Sequence, residues 1–256
     1  MARQLRYFIM GLVFLLSLVG NEDLSLNTAH SLDIADNPTA YLVGKAREKR
    51  IILIGTHHRN AYIHNLITSS LPSLVKDAGI NTLFVEIPTS QQQVINQFCA
   101  GKVDVENINI SEIVTSPSYR EVLKQARTLK MSIIAIDTEI PAPICRDEWM
   151  SKQVITYMQG HPKDKGIVVV GARHVLKGVE WTYSHAPSLA DYLKDYSIFS
   201  VVPWPNALET TLPVAMDITP LKFGGVRTPL LNSMNIQPSV SLASVADGII
   251  LLPRSQ

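Results

Sequence analysis

The sequence has little of what marks several specialised classes of protein. Its 256 residues include only two cysteines, Cys99 and Cys145, which could form one bridge but cannot build a disulfide framework. Lys and Arg number 23 against 22 Asp and Glu, so the net charge is +1 and the basic excess of a general nucleic-acid-binding protein is missing. No repeat and no low-complexity tract is evident. Nucleic acid is therefore not an expected partner.

What is present suits one large globular domain. Hydrophobic residues make up 46% of the chain and charged residues 18%. This apolar content can form a single large core and excludes a wholly disordered chain. Because a domain usually holds ~100–200 residues, the length predicts one large domain or one domain with an appendage.

The N-terminus carries an apolar run that is too short for a stable membrane anchor. The run covers residues 8–20, follows Arg3 and Arg6, and ends before Glu22 and Asp23. A basic start followed by ~7–15 apolar residues is typical of a secretory signal, whereas a spanning helix needs ~20. We predict a signal peptide at residues 1–20 and a mature domain over 21–256 that is periplasmic or secreted, without a stable membrane span. A buried N-terminal helix is the alternative.

The body alternates between two kinds of segment, which predicts an α/β fold. Short runs rich in Ile, Val and Leu predict buried strands at 50–54, 82–87, 132–137, 166–170, 197–202 and 248–252. Helical patterns lie at 38–49, 61–78 (interrupted by Pro72), 89–98, 116–129 and 147–158, and after residue 188. Runs that are apolar on both faces predict a mainly parallel central sheet in a single domain, with helices on both faces. Residues 203–246, rich in Pro, Gly, Ser and Asn, predict an irregular excursion.

Titratable residues follow several of the predicted strands. Glu86 and Asp137 stand near the ends of two runs, and two other runs are followed by GTHH at 55–58 and GARH at 171–174. Ligands of open α/β sheets lie at the carboxyl ends of the strands. The sequence therefore predicts one shared rim of His, Glu and Asp.

The strand–Gly–x–x–His motif occurs twice. It ends at His58 in the first copy and at His174 in the second, with His57 as a rival for the first position. Two imidazoles and the carboxylate of Glu86 make a familiar ligand set for a divalent metal, whose bound water becomes a nucleophile near neutral pH. The same groups without a metal could act as general base and acid. A carboxylate inside an apolar strand also needs a partner, which favours a functional role for Glu86.

The other histidines lack such a setting. We predict surface positions for His30, His64, His161 and His185. Tyr119, early in its predicted helix, is a weak site candidate that is better explained as a core or rim residue.

A second polar cluster, CRDEWM at 145–150, opens a predicted helix. Helix capping and the helix dipole alone would explain Asp147, so capping and a site role are both open for it. Arg146 would direct a guanidinium, with the helix N-terminus, at an anionic group.

The order of several short motifs resembles a known family. They are ILIGTHH at 52–58, FVEI at 84–87, SYREVLKQAR, IIAID, RDEWM and VVVGARHV at 168–175. Together they resemble the Tiki/ChaN/erythromycin-esterase superfamily, most closely its ChaN-like haem-uptake branch. The resemblance covers roughly residues 40–202, with an echo at 246–250.

What the resemblance implies differs among the branches. Tiki-like members resemble metal-dependent proteases with two GxxH motifs and an intervening strand glutamate, at the positions of His58, Glu86 and His174 here. The esterase branch usually reads Gly-Glu-x-His, whereas Thr56 in this chain favours the Gly-Thr-x-His form of Tiki- and TraB-like proteins. ChaN-like members are haem-binding envelope proteins, often lipoproteins. Here no cysteine follows the apolar run, and no tyrosine can be carried over as a haem ligand.

These arguments predict an exported hydrolase of an ester or amide bond in a small-molecule or peptide substrate. His58, Glu86 and His174 would bind a divalent metal (Mn, Co, Zn or Fe) or activate water without one. Arg146 would bind an anionic substrate group or the oxyanion, and Asp147 would orient a histidine. The alternative is a non-catalytic envelope protein that binds haem or a similar ligand.

Overall fold

The computed structural model describes residues 34–58, 60–110, 116–139, 145–208, 212–218 and 245–253. The strands in these ranges are β1 (Ile34–Ala35), β2 (Ile51–Thr56), β3 (Thr82–Pro88), β4 (Ser132–Asp137), β5 (Gly166–Gly171), β6 (Ile198–Leu208), β7 (Val214–Asp217) and β8 (Gly248–Pro253). The α-helices are α1 (Pro38–Glu48), α2 (Ala61–Ala78), α3 (Gln92–Cys99), α4 (Pro117–Thr128), α5 (Arg146–Gly160) and α6 (Leu189–Tyr192).

One sheet of eight strands organises the molecule, in the order β1–β7–β8–β6–β2–β5–β3–β4. The six strands from β8 to β4 run parallel to one another, and β7 lies antiparallel to both β8 and β1. The chain leaves β2, forms β3 and β4 further out, and returns to insert β5 between β2 and β3. The predicted single-domain, mainly parallel α/β fold is confirmed.

Each central strand is buried on both faces because the sheet has a core on each side. In β2, Ile52 and Ile54 point into the core that α1 to α4 cover. Ile51 and Leu53 point into the opposite core, which α5 and α6 cover. Successive side chains of a strand alternate between faces, so an uninterrupted apolar run is what a doubly covered strand requires.

Helix α2 begins and ends where its sequence indicates. The side chain of Asn60 accepts a hydrogen bond from the Tyr62 N–H, and Gly79 follows the helix in the left-handed conformation, with φ of 73°. Pro72 lies inside the helix, which continues through it rather than being interrupted as the sequence suggested. These caps place the N-terminus of α2 directly after the GTHH motif.

Part of the predicted irregular excursion is regular structure. Strand β6 continues to Leu208, and β7 pairs with β8 over Val214–Asp217. The expectation of irregular chain over the whole of 203–246 is therefore wrong for these segments. Residues 209–211 and 219–244 lie outside the described part, as do the predicted signal peptide and His30. In the described ranges, no helix combines the length and hydropathy needed to cross a membrane. Cys99 and Cys145 are not bonded to each other.

His64 is buried, which contradicts its predicted surface position. It has no exposed surface, its Nδ1 lies 2.9 Å from the Ser118 hydroxyl, and its ring meets that of Tyr119 edge-on at 5.5 Å. The reason is helical periodicity: His64 precedes Ile67 by three positions and Leu71 by seven, so it lies on the apolar stripe of α2. The same spacing in the sequence could have revealed this.

This burial predicts a stability loss in acid. Burial lowers the pKa of His64 from 6.5 to about 4. Between these values the unfolded chain binds a proton that the folded chain excludes, so the free energy of unfolding falls as the pH drops from 6.5 to 4, by about 3 kcal/mol. Urea unfolding at several pH values should show a weaker pH dependence for His64→Phe, while H161N at the exposed His161 should match the wild type. Equal pH dependence in His64→Phe and wild type would contradict the assignment.

Candidate active site

The insertion of β5 between β2 and β3 brings the two repeated motifs together. Thr56 at the end of β2 is opposite Gly171 at the end of β5. A Cβ placed on Gly171 would lie 3.0 Å from His58 Nε2 and 3.4 Å from His174 Cδ2. Both histidines therefore flank the same glycine, and a side chain there would press against them.

Gly55, the glycine of the first motif, leaves room on β2 for the turn that follows β5. A Cβ on Gly55 would lie 2.8 Å from the Cα of Ala172 and 3.0 Å from a methyl group of Val175. Both residues belong to the 3₁₀ turn Ala172–Val175, which carries His174. Gly55 is therefore the residue that lets this turn approach β2.

Asp147 holds the imidazole of His174. Its Oδ1 lies 2.7 Å from His174 Nδ1, and its Oδ2 accepts hydrogen bonds from Trp181 Nε1 at 3.1 Å and from the Leu189 N–H at 2.8 Å. Asp147 is only 1% exposed. Because its carboxylate is bonded to groups outside its own helix, the geometry favours the site role over helix capping.

Arg146 joins the carboxylates that end two neighbouring strands. Its Nε and Nη2 donate to the two oxygens of Asp137, at 2.8 and 2.7 Å, and Nη2 also donates to Glu86 Oε1 at 2.6 Å. The other oxygen of Glu86 accepts the Gly171 N–H at 2.6 Å. His174 Nε2 lies 3.7 Å from Glu86 Oε1. Arg146, Glu86, Asp137 and His174 thus form one charged network, whose members are buried except for the half-buried Arg146.

This network does not suit the predicted divalent metal. Both oxygens of Glu86 accept short hydrogen bonds, one from the guanidinium of Arg146, whose positive charge opposes a cation there. His174 already directs Nδ1 at Asp147. Among the residues that the structure describes, no group of three or more His, Cys, Asp or Glu is arranged to hold an ion. Metal binding by His58, Glu86 and His174 is therefore a prediction that this geometry does not support.

The pKa values of His58 and His174 are shifted in opposite directions. Burial lowers the pKa of His58; Glu86 opposes this, and the nearby His174, Arg146 and Arg173 lower it further. Burial alone would also lower the pKa of His174, but the carboxylates of Asp147 and Glu86 outweigh it, and the pKa of His174 is raised. At pH near 6.5 His58 is therefore mainly neutral while His174 is mainly protonated.

His57, the rival for the first position, is directed elsewhere. Burial lowers its pKa, and the backbone of Pro203, on β6, opposes that effect. His58 is the histidine next to Gly171. The structure thus places His58, rather than His57, beside His174.

Two further residues complete the site. Asp137, which the strand-end rule placed at the rim, ends β4 as Glu86 nears the end of β3, but its pairing with Arg146 was not predicted. No sequence pattern pointed to Trp181, which reaches Asp147 from a loop. Tyr119 is 1% exposed, as expected of a core residue, and lies close enough for the charge of Glu86 to raise its pKa further after burial.

No protein-family model matches the chain, and no curated protein matches it significantly in sequence. Solved structures match over most of its length. A succinoglycan biosynthesis protein superposes with a TM-score of 0.68 at 8% identity, covering 96% of this chain and 97% of that one. A mutant of the erythromycin esterase EreC in its open conformation gives 0.61 at 10% identity, covering 94% and 97%.

The haem-binding ChaN of Campylobacter jejuni also matches, with a TM-score of 0.50 at 10% identity, covering 87% of this chain and 97% of that one. The chain therefore shares its fold with these structures, which include an erythromycin esterase and a haem-binding ChaN. The architecture implied by the motif resemblance is therefore confirmed. At these identities the likeness establishes the fold alone, so the chemistry depends on the side chains of this chain.

Proposed function

We propose that this chain hydrolyses an ester or amide bond by acid–base catalysis at the His58–His174 site. The observation that carries the proposal is the pair of imidazoles that both approach Gly171, and whose surroundings shift their pKa values in opposite directions. Two neighbouring groups of this kind are suited to the roles of base and acid at one pH. Catalysis of this type needs a neutral base and a protonated acid at the same time.

In the proposed reaction, His58 is the general base. Its neutral imidazole takes a proton from water, and the water oxygen attacks the carbonyl carbon of the substrate. His174, held by Asp147, then donates its proton to the leaving oxygen or nitrogen as the bond to the carbonyl carbon breaks. His58 is half-buried, whereas His174 is 5% exposed, so the substrate meets His58 first.

Arg146 and Glu86 provide the electrostatic setting. Glu86 pairs with Arg146, and its carboxylate also favours the protonated form of His174. The Arg146 side chain is 28% exposed although two of its nitrogens are bonded to carboxylates. Its exposed part is positioned to stabilise negative charge on the carbonyl oxygen as the bond to water forms.

The pH profile of hydrolysis tests this assignment. With ethyl acetate as the first of a panel of alkyl esters, whose leaving oxygen needs a proton, kcat/KM should fall in acid only below pH 6.5, as His58 becomes protonated. It should fall in base only above pH 6.5, as His174 loses its proton. A plateau should therefore span pH 6.5, and circular dichroism at each pH would show that the chain stays folded. A profile in which the acid limb is unchanged in H58Q would contradict the role of His58.

The geometry supports hydrolysis with a metal less well than hydrolysis without one, because both oxygens of Glu86 already accept hydrogen bonds. We expect activity to survive dialysis against EDTA. Loss of activity that Mn²⁺, Co²⁺ or Zn²⁺ restores would reverse this view and place a metal in the mechanism.

Haem binding is the second candidate, suggested by the similar fold of ChaN. His58 could supply an axial nitrogen if its ring turned outward, because its Nδ1, which is buried, has no hydrogen-bond partner among the described residues. His174 is less suited, because Asp147 lies 2.7 Å from its Nδ1. A Soret band on haem titration that H58A abolishes would favour this candidate.

We also propose that the protein is exported, on the basis of the basic and apolar character of residues 1–20. Cell fractionation and N-terminal sequencing after expression of the full chain would test this. An uncleaved chain found only in the cytoplasm would contradict it.

A further inference from the structure

An exposed tyrosine stands next to the candidate active site. Tyr183 is 73% exposed. Its ring centroid lies 5.5 Å from that of Trp181, and the Trp181 ring lies 5.2 Å from that of His174. These three rings form a continuous path from the buried imidazole to solvent. An exposed tyrosine alone would mean little, but this one lies at the end of that path.

The loop that carries Tyr183 is fixed to the site. Trp181 Nε1 donates to Asp147, the carboxylate that holds His174. The Trp181 N–H donates to the Ala186 carbonyl at 3.0 Å, and the His185 N–H donates to the Trp181 carbonyl at 2.8 Å. Tyr183 therefore projects from a closed turn rather than from a free loop end.

The base of the same loop is held by a second carboxylate. The N–H groups of Gly178 and Val179 donate to Asp191, at 2.7 and 3.2 Å. With both ends of the turn bonded, a ligand that packs against the Tyr183 ring does not have to order the loop first. A binding surface that is ordered in advance loses less entropy when its ligand binds.

The charges around Tyr183 are those of the site. Burial raises the pKa of its hydroxyl, the charge of Asp147 raises it further, and Arg146 and Arg173 oppose the shift. Tyr183 is thus close to the groups that would handle the scissile bond, while most of its own ring faces solvent. Tyr183 therefore lies at the surface beside the site, where a substrate group attached to the reacting carbonyl could pack against its ring.

We infer that Tyr183 is a stacking platform for the substrate, and that the substrate carries a flat aromatic ring near its scissile ester or amide bond. The choice of substrate class rests on the proposed function. Tyrosine suits this role because it offers a large, rigid face at little entropic cost, and ring pairs prefer offset or edge-on arrangements. An aliphatic group of similar size would gain burial but not the ring–ring interaction.

A binding experiment without turnover tests the platform. Isothermal titration calorimetry would compare 4-(2-naphthyl)butan-2-one with 4-(decahydro-2-naphthyl)butan-2-one on the full chain, because these ketones match in size and have no ester or amide bond to hydrolyse. The wild type should bind the naphthyl ketone more tightly. Tyr183→Ala should weaken naphthyl binding by roughly three- to tenfold and decahydronaphthyl binding by less, whereas Tyr183→Phe should keep the preference. Tyr196→Ala, two residues before β6, is the control for loss of a tyrosine that packs against the core rather than beside the site, and it should bind as the wild type does.

Two results would overturn the inference: no naphthyl preference in the wild type, or a preference that survives in Tyr183→Ala. Thermal unfolding of each variant would confirm that it is folded. Ester hydrolysis by the wild type is measured separately, so that a failed platform and a failed hydrolase are distinguishable. A Tyr183-dependent naphthyl preference without hydrolysis would refute the catalytic proposal alone, whereas hydrolysis without that preference would refute the platform alone.

Discussion

Replacing His58 by alanine is expected to lower kcat/KM for an ester substrate by roughly 10²–10⁴-fold, the contribution typical of a general base. His58 is half-buried and its Nδ1 has no hydrogen-bond partner in the described ranges, so its truncation breaks few stabilising contacts. The loss should therefore appear in activity with little change in unfolding temperature. Steady-state kinetics and thermal unfolding on the same preparation would separate the two effects.

A similar loss of activity is expected when His174 is replaced, but this residue needs a gentler change. It is 5% exposed and bonded to Asp147, so His174→Ala would leave a cavity and a buried carboxylate without this partner. His174→Gln retains an N–H donor for Asp147 but cannot serve as the acid. Because base and acid act as a unit, the H58A/H174Q double variant should lose little more activity than either single variant.

His161→Ala is the matched control for both substitutions, because His161 is exposed and follows the C-terminus of α5. It should retain wild-type kinetics. A folded His174→Gln protein with full activity would refute the assignment of His174 as the acid.

The largest effect on stability is expected from Arg146→Met. Arg146 pairs with Glu86 and Asp137, whose side chains are 2% and 4% exposed. Methionine fills much of the space but leaves both carboxylates buried without their cation. Removing one partner of a buried ion pair typically costs ~3–5 kcal/mol, because the remaining charge has no compensation. Urea unfolding at pH 7 would measure the change in the free energy of unfolding.

Two control substitutions locate the cause. Arg146→Lys keeps the charge but cannot reproduce the paired hydrogen bonds to Asp137. Its free energy of unfolding should therefore lie between those of the wild type and Arg146→Met. Arg47→Met removes an exposed arginine that donates to the Asp77 carbonyl, and should change stability by less than ~1 kcal/mol. If Arg146→Met were as stable as the wild type, the carboxylates would have to be neutral or paired in another way.

Much of the architecture follows from local sequence features. The apolar runs at 82–87, 132–137 and 248–252 coincide with β3, β4 and β8 to within a residue, since both faces of these strands are covered. Gly79 ends α2, as a residue with positive φ is expected to do. The strand-end rule located Glu86 and both GxxH motifs, because parallel strands direct their carboxyl ends to one edge of the sheet. These features depend on residues that are neighbours in the chain and on the pattern of apolar side chains, and both can be read from a single sequence.

The pairing within the site depended on the tertiary structure. His58 and His174 are far apart in sequence, and only the return of β5 to a place between β2 and β3 puts them beside Gly171. The partners of Glu86 could not be read from the sequence, because one is a backbone N–H and the other is a side chain from α5. The burial of His64 also depended on the tertiary structure. The sequence placed it at the surface, but it packs against Tyr119 where α2 meets α4.

The sequence by itself thus determined the type of fold, the boundaries of several elements and the set of groups available at the rim. Only the tertiary structure decided which groups meet, which are already bonded and which remain accessible. The physical reason is that strand propensity and helix periodicity are local properties. The order of strands and the burial of a charged or titratable side chain depend instead on segments distant in the chain.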